Sequence, residues 1–329
     1  GAGSLSWYEL HNGSASFYDG GLRIAVDTND DVFVTGGTSS STSNMDLLVL
    51  AYESDGTPSW SATYDGFSAF DAGSYVDASG VGSLHIVALS EATTNNKWHI
   101  LDRKYNPANG SLITSTNSDE ITLEEVRDVT LDASDNIYIT GWKPTTSQGR
   151  DIVVVKLDDG AAIQWEKTFN GTADANDQAN TIAVAANGDV IVGGFTTTSS
   201  SDRDGLLLKY NSSGTLQWQQ TISGAANGED EITDVLIATG SSEIYLCCQI
   251  HEAADDDYLF QRRSSSTGSL LHELTFAGWV GGNDRAEVLL EDEDGGIIMS
   301  GKTAAGASGQ FPTAVRFAKK DYFLPPNSE

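Results

Sequence analysis

An acidic residue recurs at an almost constant interval along the chain. Asp19, Asp71, Glu124, Asp177 and Asp230 are separated by 52, 53, 53 and 53 residues, with Asn283 or Asp284 in a sixth copy. In a repeat fold these carboxylates would share one face, where oxygen ligands could hold a hard cation such as calcium or magnesium. Each could instead accept backbone N–H groups of its own turn. The spacing favours this turn role, and a metal site of Asp19, Asp71, Asp177 and Asp230 is the alternative.

A second position of the repeat, directly after a small residue, carries a different side chain in different copies. Trp142 and Phe195 occupy it in two copies, while Tyr18, Phe70 and Trp279 stand near the acidic position. Aromatic rings beside Asp, Asn, Thr and Gln match what a sugar-binding surface needs, since flat apolar faces cover C–H groups and polar side chains bind hydroxyls. We therefore predict that these five aromatic residues are exposed and form a ligand-binding face. The alternative is that they pack between repeats.

The residues that most often perform catalysis form no recurring set. The five histidines share no repeat position, and the sequence contains neither an HExxH nor a GxSxG motif. Cys247 and Cys248 fall where other copies carry small residues, which favours a packing role for both. The sequence therefore predicts a protein that has no catalysis of its own and requires no cofactor, with calcium as the ion it could bind.

The composition restricts the classes of partner. The chain of 329 residues has 47 acidic and 18 basic side chains and a net charge of -29, which repels nucleic acid and anionic membrane surfaces. No run of about 18 apolar residues is present, so no membrane insertion is expected. We expect partners that are neutral, cationic or metal-bridged. Abundant Ser, Thr, Gly, Asn and Asp with few Lys indicates an extracellular or cell-surface protein.

The elements that must position these residues repeat with the same interval. Six apolar segments begin 52, 53, 53, 54 and 53 residues apart: VFVTGGT at Val32, LHIVALS at Leu84, IYITGWK at Ile137, VIVGGFT at Val190, IYLCCQI at Ile244 and IIMSGKT at Ile297. A period this regular indicates six copies of one supersecondary unit. Helical repeats are excluded because the apolar residues lack a helical period.

Each copy contains four predicted strands, a to d. Strand a, such as NTIAVA, leads through a turn rich in Asn, Asp and Gly into strand b, as in a hairpin. Strand c, such as DIVVVKL, is apolar almost throughout, which suits a strand covered on both faces. Strand d, such as LQWQQTI, alternates apolar with polar residues, which is typical of an exposed outer edge. The pattern predicts an all-β fold, a six-bladed β-propeller with four-stranded blades.

The last copy lacks strand d. The N-terminal segment SLSWYEL resembles this strand, and six periods carry its Trp7 to position 325, where the last copy would have it. We therefore expect the N-terminal strand to supply the outer strand of the last blade and to close the ring. A single domain is predicted over residues 1–321, with copies over about 14–66, 67–119, 120–171, 172–224, 225–278 and 279–321 plus 1–13. Residues 322–329 read as a tail or linker, which favours a module of a longer protein or assembly.

The copies resemble one known repeat family. The segments AVDTNDDVFVTGG, TLDASDNIYITGW and DGLLLKYNSSGTLQWQQTISG are similar to the bacterial SBBP-type propeller repeat, and the resemblance spans residues 3 to about 321. The family name implies seven blades, whereas this chain has six copies. The resemblance implies a secreted or surface bacterial protein and gives little information about activity.

These patterns together predict a non-catalytic binding or adhesion module that recognises a glycan or a protein partner through its loop face. A glycan-active hydrolase or lyase is the first alternative, because paired carboxylates at the channel mouth can perform acid and base chemistry. A structural subunit of a surface assembly is the second. Strand d argues against it, since this strand is rich in Gln, Lys, Glu and Ser rather than apolar residues.

Overall fold

The structure of the chain is a computed structural model. It describes residues 6–13, 19–41, 44–66, 70–78, 82–91, 97–119, 121–144, 149–199, 202–252, 255–277, 282–304 and 310–317. All regular secondary structure in these ranges is β, and none of them contains a helix that could cross a membrane. The predicted all-β class is therefore confirmed.

The described residues form 24 strands, numbered β1 to β24 in chain order. Their bounds are Asp19–Val26, Val32–Ser41, Asn44–Tyr52, Pro58–Tyr64, Asp71–Asp77, Leu84–Glu91, Lys97–Tyr105, Leu112–Asn117, Ile121–Thr122, Glu125–Leu131, Ile137–Pro144, Arg150–Leu157, Ile163–Phe169, Asp177–Val184, Val190–Ser199, Asp202–Tyr210, Leu216–Ile222, Glu231–Ile237, Glu243–His251, Asp256–Ser264, Leu270–Phe276, Arg285–Glu291, Ile297–Ala304 and Gln310–Phe317. In the first copy, the predicted strands a to d correspond to β1 to β4.

The strands form six antiparallel sheets, one for each predicted copy. Four sheets have the orders β1-β2-β3-β4, β10-β11-β12-β13, β14-β15-β16-β17 and β18-β19-β20-β21. A fifth has the order β5-β6-β7-β8, with the short β9 paired to β7, and the last has the order β22-β23-β24. Apart from β9, which pairs with β7 rather than β8, consecutive strands are neighbours in every sheet, as short hairpin connections require.

The chain divides into two compact units. The first comprises Gly1–Glu125, Ser134–Ile137 and Lys156–Gln164, and the second comprises Val126–Ala133, Tyr138–Val155 and Trp165–Glu329. The core of the first unit is built from strands b and c, with Leu47, Leu84 and Ile86 fully buried. In the second unit the same strands supply the core, for example Val154 and Leu208, both fully buried.

Burial along the strands follows the sequence pattern. Strand c of the fourth copy, β16, buries each of its last six residues, whereas its neighbour β17 alternates exposed with partly buried side chains up to its buried last residue. A strand covered on both faces must be apolar throughout, and an outer strand must be apolar on one face only. Cys247 and Cys248 are free thiols buried in β19, as a packing role requires.

The recurring tryptophan of strand d contacts the following sheet. The indole N–H groups of Trp60, Trp165 and Trp218 each donate to the carbonyl oxygen 47 residues further along the chain, at 2.6, 3.1 and 3.3 Å. The rings also lie over glycines with positive φ in the same turns, at Gly110 and Gly214 for the first two. Since a side chain at those glycines would collide with the indole, the tryptophan can pack on the turn only where the turn carries glycine.

Trp7 makes the same contact with the first sheet. Its Nε1 donates to the carbonyl of Ser54, also 47 residues further on, at 3.3 Å, and its ring centre lies 5.7 Å from that of Tyr52. The expected pairing of the N-terminal strand with the last sheet is not formed within the described part of the chain. Residues 6–13 there contain no strand, and residues 1–5 and 318–329 lie outside the description.

Candidate functional site

The recurring acidic residue fastens the loop before strand a to the end of strand b. The Asp177 carboxylate accepts the N–H of Gly171 at 2.5 Å and the hydroxyl of Thr196 at 2.5 Å. It also accepts the N–H of Thr197 at 3.3 Å. Asp19 accepts the three corresponding groups of its own copy, at 2.7, 2.6 and 3.3 Å. The turn role predicted from the sequence is therefore present.

Three further residues at this position accept hydrogen bonds, whereas Glu124 accepts none from the described residues. Asp71 accepts the N–H of Gly66, Asp230 accepts the N–H of Gly224, and the sixth copy uses Asp284. Burial raises the pKa of Asp71, Asp177 and Asp230, while the hydroxyl of Thr38 lowers the pKa of Asp19. Within the described ranges no three His, Cys, Asp or Glu side chains are grouped so that they could hold a metal ion.

Two arginines lie over aromatic rings in consecutive copies, both in the second unit. The Cζ of Arg150 is 3.7 Å from the ring centre of Trp142, and the Cζ of Arg203 is 4.4 Å from that of Phe195. The two arginines are 53 residues apart, as are the two rings. The contact recurs because strands b and c pair as a hairpin, which places the start of strand c beside the end of strand b.

Trp142 and Phe195 are buried rather than exposed. Only 3% of Trp142 and 6% of Phe195 is accessible. The prediction that these rings offer open faces to a sugar is therefore wrong, because a guanidinium group from the neighbouring strand lies over each ring. The surface that a ligand could meet is formed by Arg150 and Arg203.

A cleft of 370 Å³ opens beside the two guanidinium groups. This cleft, called here the arginine cleft, is lined by polar side chains that include Arg150, Arg203, Asn176, Gln178, Thr197 and Ser199. Its volume is in the range of small-ligand sites. Amide, hydroxyl and guanidinium groups all supply hydrogen-bond donors, so the cleft can bind a ligand rich in oxygen acceptors.

The two arginines differ in their ionic partners. Arg203 Nη2 is 3.0 Å from the Glu229 carboxylate and 3.9 Å from that of Glu231, and its buried Nε has no hydrogen-bond partner. Arg150 forms no ion pair with any described residue. Glu229 is 72% exposed at its side chain, whereas Glu231 is 7% exposed and also pairs with Arg285 at 2.9 Å. Arg203 Nη1 and the Arg150 guanidinium therefore have no hydrogen-bond acceptor among the described residues, while the buried Nε of Arg203 is closed to a ligand.

Contacts among residues in and around the cleft hold its walls in place. The Arg127 guanidinium contacts the side-chain amide of Gln178 at 2.7 Å. Asn180, in the bulge of β14, donates to the carbonyl of Ile232 at 2.9 Å. Asp202 accepts the N–H of Gly228 at 2.9 Å. These contacts join the loops on either side of the cleft, so its shape is determined before a ligand binds.

The other predicted aromatic residues do not extend this cleft in the described chain. Phe70 belongs to the first unit, where its ring meets the edge of Trp98 at a centroid distance of 6.3 Å. Tyr18 and Trp279 lie outside the described residues. Phe70 therefore has a packing contact, which is the alternative that the sequence left open.

Sequence reasoning missed Arg150 and Arg203. The signal was available, because each stands directly before the Asp that opens strand c, where two other copies carry Met45 and Asp256. Aligning the start of strand c would have revealed a basic residue in two consecutive copies only. In a chain with 18 basic residues among 329, that coincidence points to a shared local role.

Comparisons with known proteins concern the fold. No protein-family model and no curated protein matches the chain. Among solved structures it is similar to a polysaccharide lyase, an ulvan lyase bound to the saccharide GlcA(1-4)Rha3S, with a TM-score of 0.53 and 10% identity over 95% of this chain and 84% of that one. It is also similar to BamB from Moraxella catarrhalis, with a TM-score of 0.42 and 12% identity over 90% and 84% of the two chains. The solved structures that it resembles are β-propellers, and at these identities the likeness shows the fold alone.

Proposed function

We propose that the protein is a non-catalytic, extracellular binding module of a secreted or surface bacterial protein and that it holds a glycan in the arginine cleft. One observation carries this proposal. Arg150 and Arg203 occupy equivalent positions in consecutive copies, and each guanidinium is held over an aromatic ring with donors unused. Donors that are already oriented bind a ligand without the entropic cost of ordering long side chains.

The chemistry of the lining favours a glycan over a protein partner. Tight protein interfaces depend on apolar or aromatic anchors that fill pockets. The one aromatic ring in the lining of the arginine cleft, Phe195, is buried under Arg203. Asn176, Thr197 and Ser199 instead offer amide and hydroxyl groups that match sugar hydroxyls.

The two carboxylates of the cleft support binding rather than catalysis. Asp202 accepts the N–H of Gly228 and the hydroxyl of Thr198, at 2.9 and 3.0 Å. Glu229 is engaged by Arg203 at 3.0 Å. A hydrolase or lyase needs a carboxyl that is free to transfer a proton to the substrate. Asp202 is held by two donors of the protein, so even when a ligand frees Glu229 the cleft offers one free carboxyl rather than the pair that acid and base catalysis uses.

We also propose that the six sheets are the blades of one six-bladed propeller that the N-terminal segment closes. The contact of Trp7 supports this idea, because it repeats with the same 47-residue offset as those of Trp60, Trp165 and Trp218. In those three cases the tryptophan lies on strand d of the preceding copy. The copy that lacks this strand in the sequence is the sixth, so Trp7 would belong to it.

A glycan array tests the proposed function. The intact chain is compared with Arg150→Gln and with Arg316→Gln, which removes the same charge from an exposed arginine on β24. We expect the intact chain and Arg316→Gln to bind the same glycans and Arg150→Gln to lose them. An unchanged binding profile for Arg150→Gln would exclude the arginine cleft, and the absence of any signal would exclude a glycan ligand.

A further inference from the structure

We infer that the glycan carries a carboxylate and that Glu229 occupies the place of this group on Arg203 when no ligand is bound. The inference rests on the proposed function, since it names the ligand class of the same cleft. The Glu229 carboxylate lies 3.0 Å from Arg203 Nη2. The protein itself thus shows which chemical group this guanidinium accommodates.

The contact between Glu229 and Arg203 is suited to exchange. The backbones of the two residues are joined by a parallel bridge, and Asp230 donates its N–H to the carbonyl of Arg203 at 2.9 Å. This fixes the loop, while the Glu229 side chain remains 72% exposed. Exposed ion pairs contribute little to stability. Replacing this carboxylate by one from a ligand therefore costs little, and Arg203 stays over Phe195 throughout.

Arg150 supplies a guanidinium that no protein carboxylate neutralises within the described residues. Its position over Trp142 leaves the planar group of N–H donors available to the cleft. Such a planar fork matches the two oxygens of a carboxylate and binds them through parallel hydrogen bonds. A chain with 47 acidic residues has ample means to pair its arginines. An arginine left unpaired in a ligand-sized cleft is therefore a site for an external anion.

The ligand must also be rich in hydroxyl groups. Besides the two arginines, the lining includes the amide and hydroxyl side chains of Asn176, Gln178, Thr197 and Ser199, together with Phe195, Asp202, Gly228 and Glu229. The amide and hydroxyl side chains bind hydroxyls but offer no apolar pocket, so a sugar acid fits better than an acidic peptide with apolar anchors. The net charge of -29 predicts neutral, cationic or metal-bridged partners. Arg150 and Arg203 balance Asp202 and Glu229 in the lining, so the arginine cleft is less acidic than the chain as a whole, and at physiological salt charges beyond about 8 Å are screened from it.

Matched ligand pairs test the carboxylate. Oligosaccharides that contain uronic acids are presented as free acids and as their methyl esters, together with sulfated neutral sugars, in a buffer of physiological salt. We expect the free acids to bind about tenfold to a hundredfold more tightly than the esters, as the loss of a charge-assisted hydrogen bond predicts. Equal binding of acid and ester, or a preference for sulfate, would overturn the inference and leave the proposed function standing. No glycan binding at all would overturn both.

Substitution of Glu229 tests the competing carboxylate. Glu229→Gln should bind the acidic glycan about two- to fivefold more tightly, which corresponds to the strength of an exposed ion pair. Glu293→Gln, at an exposed turn position of the same unit, removes the same charge and should leave the affinity unchanged. An equal gain in both variants would assign the effect to net charge and refute the competition, as would the absence of a gain in Glu229→Gln.

Substitution of Arg150 tests whether this arginine recognises the carboxylate of the glycan. Arg150→Gln should lose affinity for the acid while its weaker affinity for the methyl ester is unchanged. Arg150→Lys keeps the charge without the planar fork, so it should retain part of the affinity. Unchanged melting temperatures show that both variants fold. An equal loss for acid and ester in Arg150→Gln would contradict recognition of a carboxylate by this residue.

Discussion

Replacing Asp177 by Asn separates the two roles that its position suggests, a turn acceptor and a metal ligand. Asp177 is 1% exposed and accepts three hydrogen bonds, two from backbone N–H groups and one from Thr196. Asn has nearly the same shape, but its NH2 group must face at least one of these donors. The variant therefore breaks one hydrogen bond and leaves a buried donor without a partner, while the remaining bonds lose the assistance of a negative charge.

The size of the effect follows from these contacts. A buried donor without a partner costs about 1–3 kcal/mol, and a bond to a neutral acceptor is weaker by about 1 kcal/mol than one to a carboxylate. Burial raises the pKa of Asp177, which shows that the native charge already carries a desolvation cost that Asn avoids. The net loss expected is about 2 kcal/mol. For a chain of 329 residues that corresponds to a fall in melting temperature of roughly 3 °C.

Thermal unfolding in EDTA and in excess calcium is the assay, with Asp19→Asn as the matched variant. Asp19 accepts the same three groups but is only partly buried, so water can replace the lost acceptor and the fall should be smaller. The turn role predicts that Asp177→Asn loses stability equally in both buffers. If calcium stabilises the native protein and the loss disappears in EDTA, the carboxylate is a metal ligand and the hydrogen-bond account is wrong.

Two further predictions concern pH and the N-terminal segment. Burial raises the pKa of Asp234 from 3.8 to about 6, so the folded state holds this proton more tightly than the unfolded chain does; the stabilisation is complete below 3.8 and is lost as the pH rises through about 6. Between pH 5 and 7 the free energy of unfolding, measured by chemical denaturation, should therefore fall by about 1 kcal/mol more in the native protein than in Asp234→Asn. If the free energy of unfolding falls equally with pH in both proteins, this prediction is refuted. Trp7→Ala should lower the free energy of unfolding by about 1–2 kcal/mol, close to the effect of Trp165→Ala, because both rings are half-buried and make the same contact. If Trp7→Ala leaves the free energy of unfolding unchanged while Trp165→Ala lowers it, the N-terminal segment does not act as a strand d.

The sheets could be predicted from the sequence because the repeat and the local patterns agree. Continuous apolar runs mark the strands that are covered on both faces, and alternation marks the outer strands. The turn of the first copy is an example, since Asp27 accepts the N–H groups of Asn29 and Asp31 at 2.8 and 3.0 Å. Such turns depend on residues close in sequence, so six copies of the same pattern specify six similar sheets.

The candidate site could be predicted only in part. Sequence alignment identified the ends of strand b as variable positions; Phe195 does line the arginine cleft, and Trp142 lies under Arg150, which lines it. It did not show that each ring is covered, because Arg150 is eight residues from Trp142 and reaches it only through the pairing of two strands. The direction of a long side chain depends on rotamers and neighbours, which a periodic pattern does not record.

A crystal structure of the protein with the tightest acidic glycan from the array would test the central claim most directly. We expect a ligand carboxylate on Arg203 in the place that the Glu229 side chain has left, and sugar hydroxyls on Asn176 and Thr197. A glycan bound elsewhere on the protein, with Glu229 still on Arg203, would contradict it.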